Sequence, residues 1–325
     1  MTITARSFAK INLGLRIGLR REDGFHGLRT VYQTVAIHDR IDLAVGRGTG
    51  IEIECADQRV PKDEGNTCWR VAERVLRALN AKARVRITIQ KRLPVQGGMG
   101  AGSSNGVVTM LALECALKKK LTPHDRLRIA AEVGSDLPLF LLGGTVLGSG
   151  RGEEIYALED LPVFDCVVAT PAIGVSTPAA FADWDEKCDA EAKLTGSAPS
   201  DRMNVFSHSV YEWLSGSRYT PTGVPGKGRD RAEALLLDLV RTGIENDFES
   251  VVFPMYPALR EVKSALERAG AKYASLSGSG STVYGLFTSK QKAARAAKLL
   301  NDSGTPAQAT VTLTRAQYWK RVLAR

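Results

Sequence analysis

The stretch Leu93-Pro94-Val95-Gln96-Gly97-Gly98-Met99-Gly100-Ala101-Gly102-Ser103-Ser104-Asn105 has the residue types to hold an anion with its backbone. Glycines at 97, 98, 100 and 102 lack a Cβ, so successive N–H groups can turn toward one point. Val107, Val108, Met110, Leu111, Leu113 and Leu117 predict a helix behind this loop, capped by Ser103, Ser104 or Asn105. The free amides of a first helical turn favour a phosphate. Two side chains elsewhere could act on a phosphate held there. Asp136 lies in Gly134-Ser135-Asp136-Leu137-Pro138-Leu139-Phe140, a short apolar segment where an unpaired carboxylate is costly, so it needs a partner or a task. Lys10 shares one strand face with Phe8 and Asn12, and that face is not simply solvated.

The elements around these residues follow from pattern. Val85, Ile87 and Ile89 alternate with polar residues, so strand, glycine loop and helix form one unit. Asp23-Gly24 is a hairpin signal between a strand carrying Lys10 and a second strand from Arg29 to Ile37. It places Phe25 and His26 at the turn exit, where a ring and an imidazole can stack on and hydrogen-bond a planar base. Asn66 or Thr67 caps a helix carried by Trp69, Ala72, Val75, Leu76 and Leu79. A lobe boundary is expected near Leu161-Pro162, and residues 183–230 read as irregular and in part mobile because the stretch lacks apolar periodicity. A second glycine loop, Ser277-Gly278-Ser279-Gly280-Ser281-Thr282, lies between two strand-like runs.

Composition narrows the classes. The chain has 325 residues, enough for two lobes with sizeable cores, and it shows no internal repeat. No apolar run is long enough to span a membrane and no signal peptide is evident, so a cytoplasmic protein without a membrane partner is expected. Five cysteines form no C-x-x-C pair, which argues against a disulfide framework and a structural zinc site. The net charge is 44 − 35 = +9, but the basic residues are dispersed and aromatics make up only 6%. That reads as solubility and attraction for a small anionic ligand rather than as a nucleic-acid surface. Neither G-x-x-x-x-G-K-[ST] nor G-x-G-x-x-G occurs.

The loop resembles the P-x-x-x-G-L-G-x-G-S-S loop of the GHMP small-molecule kinases, with Met99 where leucine is usual and Gln96 where glycine is frequent. Gly134 to Phe140 resembles the family's G-[SA]-D-[VL]-P-x-F. Ala9 to Leu13 and Arg21 to Thr30 resemble A-K-[IL]-N-L and R-x-D-G-[YF]-H-x-L-x-T, signatures of the branch that phosphorylates the 2-hydroxyl of a cytidine diphosphate-linked methylerythritol. The segments after Pro171 and around Asn246-Asp247-Phe248-Glu249 match further family segments in the right order.

The resemblance implies a two-lobed α+β fold. A ribosomal S5-like lobe would occupy 1–161, an α/β-plait lobe 162–325, and the active site the cleft between them. It implies ATP and Mg²⁺ as cofactors, Asp136 as the residue that takes the acceptor's proton, and Lys10 as its catalytic neighbour. ATP would lie against Asn66, Pro94, Gly97, Gly98, Met99, Gly100, Ala101, Gly102, Ser103 and Ser104. The small-molecule substrate would meet Asn12, Phe25, His26, Thr177 and Phe181, with Phe181 stacking on cytosine opposite Phe25. No carboxylate matches a metal position unambiguously, so the Mg²⁺ ligands are not assigned, and a monomer or homodimer is expected. A homoserine- or mevalonate-type kinase would share the loop and Asp136 without needing the turn at 23–26; a catalytically silent nucleotide- or RNA-binding relative is the reading from another class.

Overall fold

The computed structural model describes residues 2–195, 202–216 and 228–323. Its first sheet is built on a long hairpin. Strand β1 (Thr2–Arg20) pairs antiparallel with β2 (His26–Gly46), and Gly24, at φ +81°, supplies the left-handed residue the turn requires. The second strand therefore runs well past Ile37, with register shifts on its partner at Phe8/Ala9, Asn12/Gly14 and Ile17/Arg20, the first of which leaves Ala36 and Ile37 unpaired with β1. The other edge of β2 is shared: β4 (Arg84–Gln90) takes residues 40–46 and β5 (Thr145–Ser149) takes 30–33. Strand β3 (Gly50–Cys55) runs parallel to β4, and β6 (Glu154–Ala157) folds back on β5.

Helices α1 (Thr67–Ala78), α2 (Ala101–Leu117) and α3 (Pro123–Val133) cover one face of this sheet, burying Ile41, Leu43, Val85, Ile87, Val71 and Ile129 in a first core. Alternation along β4 puts Val85 and Ile87 inside and Arg84 and Arg86 outside, the pattern of a half-buried strand. Helix α2 is buried continuously from Ser104 to Glu114, so the glycine loop at its head is anchored in the molecule's interior.

The second lobe is a four-stranded antiparallel sheet in the order β10-β7-β9-β8, with β7 Asp165–Ala169, β8 Tyr273–Leu276, β9 Val283–Phe287 and β10 Ala307–Val311. Helices α8 (Pro257–Arg268) and α9 (Lys290–Asp302) bury Leu259, Leu266, Ala293 and Leu300 against it, and α7 (Glu249–Met255) adds Val252 to the same core. Two buried tyrosines tie the lobes at β1: Tyr273 donates to the Leu13 carbonyl and Tyr284 to that of Asn12, both at 2.7 Å. The architecture is the expected α+β one, and residues 158–164 link β6 to β7.

Two expectations need correction. The last stretch does not stay with the second lobe, because α10 (Arg315–Val322) returns to the first core, where Tyr318 donates to the Phe140 carbonyl at 2.8 Å. Nor is 183–230 irregular where it is described: α4 covers Thr177–Thr195, α5 Arg202–Gly216 and α6 begins at Gly228 and ends at Arg241. Phe206, Val210 and Trp213 form a buried helical stripe diluted by polar neighbours, and Trp213 donates to the Leu235 carbonyl. Residues 196–201 and 217–227 lie outside the described residues.

Candidate active site

Lys10 and Asp136 meet. The Lys10 ammonium, 3% exposed on the middle of β1, stands 3.4 Å from Asp136 Oδ2 and donates to Asn12 Oδ1 at 2.7 Å. Asn12 in turn donates to Thr30, which donates to the Gly14 carbonyl, so one face of the long hairpin fixes the lysine's direction. Asp136 comes from the turn before the 3-10 segment Pro138–Leu141, and its side chain keeps about a third of its surface open. Its second oxygen accepts from Tyr32 at 3.1 Å. Burial, the Asp136 charge and that hydrogen bond push the Tyr32 hydroxyl well above its ordinary range, which keeps it a donor. Tyr32 was not singled out from sequence; the signal is its position on β2 facing the parity of Thr30 and Thr34.

The glycine loop lies against this pair. The Lys10 N–H donates to the Met99 carbonyl, and a Cβ on Gly100 would stand 3.2 Å from Lys10 Cγ and 3.0 Å from Phe140. Gly100, at φ +66°, is the N-cap of α2, so the helix starts at Ala101 and the serines expected to cap it lie inside its first turn. Gly98 is more constrained still. At φ +75°, an added Cβ would fall 2.0 Å from the Ser277 carbonyl oxygen, because the second glycine loop packs directly on the first. Ser277 donates to the Gly98 carbonyl and the Thr282 N–H to that of Gly97. Asn246 holds this second loop by donating to the carbonyls of Leu276 and Gly278, giving the Asn246-Asp247-Phe248-Glu249 motif a structural task that the resemblance left unstated.

A cleft of about 330 Å³ opens over the loop. Asn66, Pro94, Gly97, Gly98, Met99, Gly100, Ala101, Gly102 and Ser103 all line it, with Thr67 and Lys91; Ser104 is buried beneath, its hydroxyl without a hydrogen-bond partner. Asn66 caps α1 by accepting from the Cys68 N–H and donates to the Pro61 carbonyl, so both ends of its amide already serve the backbone.

On the acceptor side, His26 and Phe181 stack face to face at 4.7 Å and 8°, and Phe248 meets Phe181 edge-on. His26 Nε2 lies 2.7 Å from Asp185 on α4, a partner absent from the sequence reading. Thr177, at the head of α4, shares a 2.7 Å hydrogen bond with Ser279 of the second glycine loop. Phe25 departs from expectation. It is half exposed, has no aromatic partner among the described residues, and carries Arg151 over its ring at 4.9 Å, while the Phe181 face is taken by His26. The turn at 21–25 projects Phe25 outward, where the cation of the β5-β6 turn covers it.

Two family domains match: the GHMP kinases N terminal domain over residues 66–144 and the GHMP kinases C terminal region over 232–304. The 4-diphosphocytidyl-2-C-methyl-D-erythritol kinase of Solibacter usitatus is 35% identical over 323 residues, covering 98% of this chain and 92% of that one. The chain belongs to this kinase family. The kinase of the same name from Geobacter sulfurreducens is 33% identical, covering 92% of this chain and 94% of the relative. A crystal structure of 4-(cytidine 5'-diphospho)-2C-methyl-D-erythritol kinase superposes with a TM-score of 0.70 at 27% identity, covering 95% of this chain and 98% of that one. A homoserine kinase from Cytophaga hutchinsonii also reaches 0.70 over 96% of this chain and 95% of its own, at 20% identity, which speaks for the shared GHMP fold alone. The chain is an ATP-using phosphotransferase of this family. Among the described residues no helix is long and apolar enough to cross a membrane, and no cluster of three or more His, Cys, Asp or Glu side chains forms a dedicated cation site. The five cysteines are unpaired, and burial pushes the Cys68 thiol up to about 12, leaving it inert.

Proposed function

We propose that the protein transfers the γ-phosphoryl group of ATP to the 2-hydroxyl of 4-diphosphocytidyl-2-C-methyl-D-erythritol. The observation that carries this reading is the Lys10–Asp136 pair, 3.4 Å apart, tied by the Lys10 N–H to the Met99 carbonyl of the glycine loop that lines the cleft. Phosphoryl transfer asks a protein chiefly for alignment and charge neutralisation. Backbone N–H groups of the loop and the first turn of α2 would hold the triphosphate. Asp136, one carboxylate oxygen committed to Tyr32 and the other facing Lys10, would orient the acceptor hydroxyl and take its proton as the oxygen–phosphorus bond forms. Lys10, fixed by Asn12, would offset charge on the moving group.

Mg²⁺ would enter with the nucleotide, and Ser103, which lines the cleft at the head of α2, carries a hydroxyl of the kind that suits an oxygen-seeking cation. When bound, such an ion neutralises charge on the phosphate oxygens. The His26–Phe181 stack supplies the flat surface and the ring nitrogen suited to a pyrimidine. An ADP-release assay with the cytidylated erythritol, homoserine and mevalonate tests the reading. Turnover with the first alone is expected, and turnover with either of the others in its place would overturn it.

A further inference from the structure

Strand β2 carries a carboxylate where its pattern calls for an apolar side chain. Asp39 shares the parity of Ile41 and Leu43, which enter the first core, and it is fully buried. A charge in that position costs several kcal/mol unless its oxygens are fully engaged. Here both are. Oδ1 accepts from the Arg92 N–H at 2.7 Å and the Leu93 N–H at 2.9 Å, and Oδ2 from the Lys91 ammonium at 2.6 Å and the Asn105 amide at 3.2 Å.

The positions of these donors matter more than their number. The β2–β4 ladder ends at Arg40↔Gln90, so Asp39 stands at the next register position, where pairing stops. Its side chain supplies the acceptors that the ladder no longer provides and steers residues 91–93 out of the sheet into the glycine loop. Through Asn105 the same carboxylate reaches the second turn of α2, the loop's other end. One buried group thus spans the entry and exit of the nucleotide cradle, and it pins the Lys91 ammonium on the cleft wall.

We propose that Asp39 is a positioning residue for the nucleotide, setting the spacing of the loop ends so that the amides of residues 97–103 converge. The inference rests on the kinase reading of the site. It touches neither Lys10 nor the His26–Phe181 stack, so its effect belongs to ATP and not to the acceptor.

The test is Asp39→Asn, which keeps shape but sets an amide donor against Lys91 or Asn105. The KM for ATP should rise about tenfold or more, while the KM for the acceptor alcohol stays within about twofold, since small misplacement of a binding frame is felt strongly. Nucleotide binding to the wild type and to the variant, followed by calorimetry without acceptor, separates the claims. No ATP binding by the wild type would overturn the kinase reading and this inference with it. ATP binding by a folded variant as tight as the wild type's would overturn the Asp39 role alone, even if the variant melted earlier. If Asp39→Asn does not fold, Asp39→Glu keeps the charge but lengthens the reach to all four donors. A severalfold rise in the ATP KM at unchanged acceptor KM supports the proposal, and equal values for both contradict it.

Discussion

The two halves of the site are built from different materials. On the reading proposed above, the nucleotide end would bind through backbone amides, in a loop whose glycines leave no room for a Cβ and whose ends meet buried partners such as Ser277 and Asp39. The acceptor end would work through side chains, Lys10, Asn12, Asp136 and Tyr32 on the hairpin and turn, with the stacked pair His26 and Phe181 beside them in the proposal. The first half should then be sensitive to shape and nearly indifferent to side-chain chemistry, and the second the reverse. A phosphate presents much the same oxygens whatever carries it, whereas an acceptor alcohol must be distinguished from other alcohols and deprotonated at one position.

Substitutions can sharpen or break that contrast. A large effect is expected for Lys10→Met, which removes the cation and leaves Asp136 with Tyr32 alone. kcat should fall by about two to three orders of magnitude, with the ATP dissociation constant little changed. A parallel loss of ATP affinity, read by calorimetry, would erase the division between the halves. Gly98→Ala is the complementary change. Its methyl would meet the Ser277 carbonyl at 2.0 Å, so loop or neighbour must move, and ATP affinity should drop by about two orders of magnitude while the acceptor still binds. Retained ATP affinity would show that the amides are not the cradle. Phe181→Ala should raise the acceptor KM about tenfold and spare the ATP KM, because a ring stack is worth about 1 kcal/mol beyond its buried area. An unchanged acceptor KM would remove the stack from recognition.

A smaller effect falls on stability and on neither half alone. Burial raises the hydroxyls of Tyr32, Tyr273, Tyr284 and Tyr318 above their ordinary value of 10.0. The unfolded chain therefore loses these protons first. The stabilisation is complete below about pH 10 and is lost as pH rises beyond it. Denaturant midpoints should be level to about pH 9 and fall steadily above 10; a midpoint that rises in that range would contradict the burial of these groups.

Much of this was legible in the chain because the chemistry-bearing residues sit in short, self-contained segments. A glycine run before an apolar helix, an aspartate before a proline and a lysine two residues from an asparagine carry their meaning locally. What was not legible is held by distance. Tyr32 and Asp136 are separated by 104 residues, and Asp39 and Asn105 by 66, so no local pattern announces either pair. The start of α2 was displaced because serine is the commoner cap, whereas here Gly100 takes the left-handed conformation and frees the serines for the first turn. Gln96 shows the same logic from the other side. At φ +59° it occupies a position that favours glycine, which accounts for the glycine expected there. Helices α4 and α5 were missed because their buried faces, with Phe206, Val210 and Trp213 on α5, are narrow against a polar background.

Asp136→Asn gives the most direct test of the account, because the side chain is partly exposed, its shape is kept and the loop is untouched. Single-turnover transfer from labelled ATP to the cytidylated erythritol, with ATP binding followed in parallel by calorimetry, reads both halves of the site at once. The expected result is a loss of transfer of about three orders of magnitude with an ATP dissociation constant within about threefold of the wild type's. Transfer within about tenfold of the wild type would show that this carboxylate does not take the acceptor's proton, and the account would fail with it.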